Sequence, residues 1–117
     1  MTAPNLLVRL EGLLVLLASV LAFRHLGGHW PIFALLFLAP DLAMLGYLAG
    51  PRAGSAFYNT AHTYLVPGAL AAASLLTGHH DLLPWLDIWF AHIGFDRLLG
   101  YGLKYATAFR DTHLQRV

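Results

Sequence analysis

Four long hydrophobic runs dominate this chain and limit what it can fold into. They cover about residues 6–23, 31–48, 55–76 and 84–104 of a 117-residue sequence. Each run has roughly the 20 residues that an α-helix needs to cross the hydrocarbon core of a bilayer. The sequence therefore predicts one integral membrane domain over residues 1–117, an all-α, four-transmembrane-helix bundle with up-down-up-down topology.

The composition favours a lipid bilayer as the main surroundings of this domain. Apolar residues make up 58% of the chain and charged residues only 11%, with a mean hydropathy of +0.62. Soluble domains carry about 25% charged residues. The net charge is +1 and there is no basic tract, which argues against nucleic acid as a partner. Because the chain has no cysteine, it has no disulfide, iron–sulfur cluster or thiolate zinc site.

The basic residues predict the orientation in the membrane. One side of the predicted bundle carries only Arg24, and the other side carries Arg9, Arg52, Lys104, Arg110 and Arg116. The positive-inside rule therefore places both termini of this multi-pass protein in the cytoplasm. The first run also fits a cleavable signal peptide, but we favour a span because cleavage would remove Glu11, one of the few carboxylates inside the runs.

Every predicted span carries a polar side chain at a similar depth. His92 and Asp96 are four residues apart, so they lie on one face of a helix. At 1.5 Å per residue, Asp41, His62 and Asp96 lie about 12 Å from the cytoplasmic helix ends. Glu11 lies at about 9 Å and His92 at about 18 Å. Because ionisable groups in lipid need partners inside the protein, we expect these five side chains to converge.

A metal site is the first hypothesis for this cluster. Imidazoles and carboxylates without sulfur suit a divalent zinc, iron or manganese ion, and helix bundles build such sites on facing helices. The predicted ligands are Asp41, His62, His92 and Asp96. Glu11 is a further ligand or a general base, and Glu11 and Arg97 are the candidate catalytic residues. Since a bound metal ion acidifies water, hydrolysis of a lipid or small amphiphile is the predicted reaction.

Other interpretations of the same residues stay open. The polar groups can serve only to pair helices in a non-catalytic membrane subunit, and Arg97 can neutralise Asp96 or Asp41 as an ion pair. His62 and His92 can ligate a b-type haem, although their predicted depths differ by about 6 Å. A proton relay is a third alternative, and it would require a homo-oligomer because one four-helix unit is small for a pore.

Four short segments carry a resemblance to a known family. They are NTAHTY at residues 59–64, HIGFDR at 92–97, GYGLK at 100–104 and THL at 112–114. With these segments the chain resembles small bacterial integral membrane proteins catalogued as domain of unknown function 4260, over nearly its whole length. The resemblance implies a multi-span helical protein of the bacterial inner membrane and implies no activity. Its motif positions on this chain are Asp41, Asn59, His62, His92, Asp96, Arg97, Lys104 and His113. We expect Tyr58, Asn59, Lys104 and His113 to support the ligands.

Overall fold

A computed structural model describes residues 2–106 and 109–116 of the chain. The regular elements in these residues are all helical, so the predicted all-α class is confirmed. In chain order they are α1 (Ala3–His25), α2 (Trp30–Leu36), a 3₁₀ helix (Ala39–Ala49), α3 (Pro51–His62), α4 (Leu65–Thr77), a short 3₁₀ turn (His80–Leu82), α5 (Leu83–Leu99) and α6 (His113–Arg116).

Helix α5 is the central element, and its most extensive packing is against α1. The two helices cross where Gly12 meets Gly94. A Cβ atom on either glycine would lie 2.6 Å from the backbone oxygen of the other, so a larger side chain would push the helices apart. Asn5, Gly12 and Ser19 are buried on α1 at seven-residue intervals. Only one narrow stripe of α1 therefore faces the protein.

Two helical segments of the described residues, Ala3–His25 and Trp30–Ala49, are long and apolar enough to cross a membrane. Their mean hydropathies are 2.2 and 2.0, and only 17% and 0% of the respective windows are buried inside the protein. Large apolar side chains on these segments face outward, as Leu35 and Leu48 show with 77% and 89% exposure. These segments thus expose more contiguous apolar surface than soluble monomeric proteins usually do.

The second hydrophobic run changes its helix type at Pro40. Helix α2 ends at Leu36, and the backbone continues as the 3₁₀ helix from Ala39. The ring nitrogen of Pro40 has no hydrogen to donate to the Leu36 carbonyl, which explains the break. A tighter helix therefore begins beside the carboxylate of Asp41.

The third run forms two helices rather than the predicted single span over 55–76. Helix α3 ends at His62, where Thr63 adopts an extended backbone with φ −99° and ψ 143°. Pro67 lacks the N–H that a continuous helix would offer to the Thr63 carbonyl. The Arg97 guanidinium of α5 donates to the His62 carbonyl at 2.7 Å. This bond satisfies a carbonyl that the break leaves open.

The fourth run is helical only as far as Leu99, whereas the predicted span extends to residue 104. Gly100 has φ +96°, a left-handed conformation that favours glycine and ends the helix. The following residues turn back toward the C-terminal segment, where Lys104 forms an antiparallel bridge with Thr112. The end of this run therefore packs against the C-terminal segment instead of extending α5.

Candidate metal centre

Four of the predicted residues meet in one group, which we call the His–Asp group: Asp41, His62, His92 and Asp96. The two Nε2 atoms of the histidines are 3.1 Å apart. Oδ1 of Asp41 lies 3.1 Å from each of them. Oδ2 of Asp96 lies 3.4 Å from His62 Nε2 and 3.3 Å from His92 Nε2. All four candidate ligand atoms are within 4.8 Å of one another.

Helix breaks bring these four side chains together. Asp41 lies in the first turn of the 3₁₀ helix, directly after Pro40. His62 is the last residue of α3, beside the break that Arg97 stabilises. His92 and Asp96 project from one face of the central helix α5, one turn apart. Three separate chain segments thus converge on one point.

Five of the six separations among the candidate ligand atoms approach those of a tetrahedral metal ion. Metal–ligand bonds of about 2.0–2.2 Å in a tetrahedron separate the ligand atoms by about 3.3–3.6 Å. The five distances above are 3.1–3.4 Å, and the sixth, between the carboxylates of Asp41 and Asp96, is within 4.8 Å, so a bound ion would draw these two side chains together. Two imidazoles and two carboxylates are also a suitable donor set for zinc, iron(II) or manganese. The residues present therefore fit a divalent metal ion.

The same distance argues against the haem alternative. Axial ligands on opposite faces of a haem iron are separated by twice an iron–nitrogen bond, with the macrocycle between the two rings. The Nε2 atoms of His62 and His92 are only 3.1 Å apart, which leaves no room for that arrangement. The two imidazoles could instead be neighbouring ligands of one metal ion.

The acceptor atoms of the His–Asp group outnumber its donors. His62 Nδ1 lies 2.8 Å from the Tyr58 carbonyl, and since a carbonyl only accepts, Nδ1 is the donor. In a neutral His62 the Nε2 atom is then an acceptor. It faces carboxylate oxygens of Asp41 and Asp96, which accept as well. A metal ion or a proton among these atoms resolves the conflict.

The group is accessible mainly from the side of Asp41. His62 and His92 are almost fully buried, at 0% and 1% exposure, whereas the Asp41 side chain is 31% exposed. The Tyr58 ring stacks on His62 with centroids 3.7 Å apart, and the Phe37 ring meets His92 edge to face at 5.4 Å. Both imidazoles are therefore held in place, and the Asp41 side is where a water or substrate molecule can approach.

Glu11 does not join the group, although the depth calculation predicts that it converges with the others. It is exposed, and it lines a cavity of about 380 Å³ together with Tyr64, Arg97 and His113. Its neighbour Gly12 occupies the face of α1 that meets α5, which leaves Glu11 at the rim of that interface. Depth along a helix thus did not decide on which side of α1 the Glu11 side chain lies.

Arg97 is buried beside the group, yet its described hydrogen bonds go to backbone carbonyls. It donates to His62 at 2.7 Å and to Tyr101 at 2.9 Å. No ion pair between Arg97 and a carboxylate is found among the described residues. Arg97 is therefore placed to position His62 through the main chain, and the catalytic roles predicted for Arg97 and Glu11 stay predictions.

Three of the four predicted supporting residues, Asn59, Lys104 and His113, form a second polar region together with Leu103. We call this region the tail dock. Asn59 Oδ1 accepts from the Lys104 backbone N–H at 2.6 Å, and its Nδ2 donates to the Lys104 carbonyl at 2.7 Å. His113 Nδ1 accepts from the Leu103 N–H at 2.7 Å, and the His113 N–H donates to the Leu103 carbonyl at 2.8 Å. Burial, together with the nearby Arg97 charge, lowers the pKa of His113. The neutral form that this bond requires is therefore favoured.

The tail dock adjoins the His–Asp group through Tyr58. Lys104 Nζ lies 4.5 Å from the centre of the Tyr58 ring, whose other neighbour is the stacked His62. Asn5, which the sequence analysis did not select, also holds the tail, since its Nδ2 donates to the Leu114 carbonyl at 2.8 Å. The seven-residue spacing from Asn5 to Gly12 and Ser19 is the sequence signal that could have placed Asn5 on the buried stripe.

These observations define a class of protein: an all-helical chain with outward-facing apolar helices around a buried His–Asp group. The model of the family described as a domain of unknown function (DUF4260) matches residues 5–117, so the chain belongs to that family. The resemblance noted in the sequence is thereby confirmed. Comparisons with curated proteins and with solved structures found no match. The function must therefore be argued from the site itself.

Proposed function

We propose that this is a multi-pass membrane protein whose His–Asp group binds one divalent metal ion and supports hydrolysis of a lipid or small amphiphile. The observation that carries the proposal is the convergence of four candidate ligand atoms within 4.8 Å, with acceptor atoms directed at each other. Buried carboxylates and imidazoles in this arrangement are costly unless a cation lies among them.

The exposed apolar surface supports insertion into a membrane. The two segments that pass the length and composition test turn apolar residues outward along most of their length. Helices α3 and α4 together, and α5, would supply two further crossings. Broken backbone at membrane depth is tolerated where protein groups satisfy it, as Arg97 does for the His62 carbonyl. The distribution of Lys and Arg favours cytoplasmic termini for this topology.

The chemistry follows from the donor set and from its accessibility. A divalent ion held by Asp41, His62, His92 and Asp96 would need a further coordination position, or release of the partly exposed Asp41, to bind water or substrate. It would then lower the pKa of that water toward neutrality or polarise a carbonyl or phosphoryl oxygen. Asp41 is the ligand nearest to the open side, so it would face the substrate. Tyr58 and Phe37 fix the imidazoles, and Arg97 holds the end of α3 that carries His62.

Elemental analysis of the detergent-purified protein tests the metal site. We expect one divalent ion per chain, absent from a His92→Ala variant. His79→Ala is the matched control, because His79 lies in an exposed loop and its side chain bonds only to Thr77 among the described contacts. Folded wild-type protein that binds no added zinc, iron or manganese would overturn the proposal. Release of fatty acid from phospholipid vesicles, dependent on the metal, would test the hydrolytic part.

A non-catalytic membrane subunit is the second candidate function. The separations of 3.1–3.4 Å also fit hydrogen bonds in which a proton is held among the imidazoles and carboxylates. In that case the group pairs the 3₁₀ helix, α3 and α5 without any chemistry. Protein that stays folded, binds no metal and loses stability on His92→Ala would support this candidate.

A further inference from the structure

A pocket of about 400 Å³ lies next to the His–Asp group, between the 3₁₀ helix, the end of α3 and α5. Its size is within the range of small-molecule binding sites. It is lined by Leu36, Ala39, Pro40, Ala43, Ala61, Trp85, Ile88 and Trp89. Three alanines on facing elements leave the space that larger side chains would fill.

The pocket and the His–Asp group are built from the same three segments. Pro40 and Ala61 in the pocket wall directly precede Asp41 and His62 in the sequence. On α5 the wall begins one turn before His92, at Ile88, and continues to Trp85. The distance along the helix from His92 to Trp85 is about 10 Å. The pocket therefore runs from the group along α5, away from the tail dock.

The pocket offers an occupant almost nothing but apolar surface. The indole N–H of Trp89 already donates to the Ala61 carbonyl at 2.6 Å. The other wall residues apart from Trp85 have apolar side chains, and Trp85 is half exposed at the far end. A polar group placed between these walls would lose its hydrogen bonds to water without replacement. An alkyl chain would lose none.

We propose that this pocket binds the alkyl chain of an amphiphile whose polar head lies at Asp41. A ligand that is polar at one end and apolar along its length matches an apolar pocket whose wall residues Pro40 and Ala61 adjoin the His–Asp group. The position of the head rests on the proposed function. Binding of the chain itself requires no metal, so the two can be tested separately.

Tryptophan fluorescence can detect the chain, because bromine atoms on an alkyl chain quench an indole that they touch. The protein has three tryptophans, so Trp30→Phe with Trp85→Phe leaves Trp89 as the reporter. We would titrate the detergent-purified full chain with a fatty acid brominated at mid-chain. The expected result is saturable quenching that an unbrominated fatty acid of the same length reverses.

Pocket-filling variants test the location. Ala43→Phe, in the same reporter background, should weaken the saturable quenching at least tenfold, and the smaller Ala43→Leu should weaken it less. Ala72→Phe is the matched control, since Ala72 is exposed on α4 and is not a wall residue of this pocket. Quenching that is not reversed by competitor, or that is equal in Ala43→Phe and Ala72→Phe, overturns the proposal.

Metal content measured on the same preparations separates this inference from the proposed function. Saturable quenching in protein that binds no metal would leave the pocket standing and overturn the metal site. A full complement of metal without saturable quenching would overturn the pocket alone. The direction of binding is tested with the Asp41→Asn variant. If quenching of Trp89 by ligands with any ionised head group is equal in this variant and in wild type, the head does not lie at Asp41, and the assigned direction is overturned.

Discussion

Asn59 and His62 are three residues apart on α3, yet they belong to two polar regions that differ in how donors and acceptors are matched. In the tail dock donors are matched with acceptors, as Asn59 shows with both backbone groups of Lys104. In the His–Asp group, acceptor atoms of His62 and the carboxylates face each other. The backbone groups of Lys104 are thus satisfied by protein atoms, whereas the acceptors of the His–Asp group outnumber its donors unless a metal ion or a further proton lies among them. This contrast distinguishes a structural polar network from a candidate binding site.

Replacing a ligand should produce the largest difference between the two regions. Asp96→Asn removes a negative charge and keeps the shape of the side chain. Residues that only hydrogen-bond to metal ligands already contribute about 10–100-fold to metal affinity. Because Asp96 is proposed as a ligand itself, we expect metal affinity to fall by more than about 100-fold. Competition with a chelating dye measures it. Asp81→Asn, in an exposed turn, is the control, and equal affinity in both variants would remove Asp96 from the ligand set.

Metal removal should destabilise the His–Asp group and leave the tail dock intact. At a free metal concentration of 100 times Kd, binding to the folded state adds about 2.7 kcal/mol to the free energy of unfolding. Chelation should remove this increment from wild type, and Asp96→Asn should show at most about 0.4 kcal/mol of it at the same metal concentration. Denaturant unfolding with and without chelator measures the effect. An unfolding free energy that does not depend on metal in wild type would contradict the idea that a metal completes the group.

The convergence of the group was predictable from sequence only in part. The four-residue spacing of His92 and Asp96 fixes a shared face, and depth along the spans selected Asp41 and His62. Depth does not say which way a side chain points around its helix. Glu11 was therefore misplaced, since the buried face of α1 is decided by the close approach of Gly12 to α5.

The helix breaks and the tail dock were harder to predict. Pro40 and Pro67 mark irregular backbone, but a proline alone does not show that Thr63 turns to an extended conformation or that Arg97 reaches the His62 carbonyl. The apolar run continues past Leu99, and it hides the left-handed Gly100 at which α5 ends. The tail dock joins residues more than 40 positions apart, which no local pattern encodes.

Removing the Asn59 side chain, which binds the backbone of Lys104 in the tail dock, should moderately lower the free energy of unfolding and leave the metal content unchanged. Asn59→Ala leaves the backbone N–H and carbonyl of Lys104 without their partners, at a cost of about 1–3 kcal/mol. Hydrogen exchange at the Lys104 amide should accelerate accordingly. Thr60→Ala is the control, because Thr60 is exposed and bonds only within α3 among the described contacts. Loss of metal from Asn59→Ala would show that the two regions are not independent.

The smallest expected effect is a pH dependence confined to the tail dock. The pKa of His113 is lowered by burial and by the Arg97 charge, while Glu11 lines the same cavity. A lowered pKa in the folded state means that neutral His113 contributes stability above about pH 6.5, and that this contribution is lost as the pH falls through the lowered value. Protonation of Nδ1 also removes the acceptor for the Leu103 N–H. We therefore expect the exchange protection of the Leu103 amide, corrected for the intrinsic rate, to decrease on acidification.

His113→Asn separates this titration from a general effect of acid. The Oδ1 atom of asparagine can occupy the position of Nδ1 and accept from Leu103, but it does not titrate in this range. Protection of the Leu103 amide should then be nearly constant between about pH 7.5 and 5, while wild type loses it. If the variant loses protection in parallel with wild type, the acid effect arises from the His–Asp group or from global unfolding. The tail dock would then depend on the charge of its neighbour, contrary to the independence inferred from its complete hydrogen bonding.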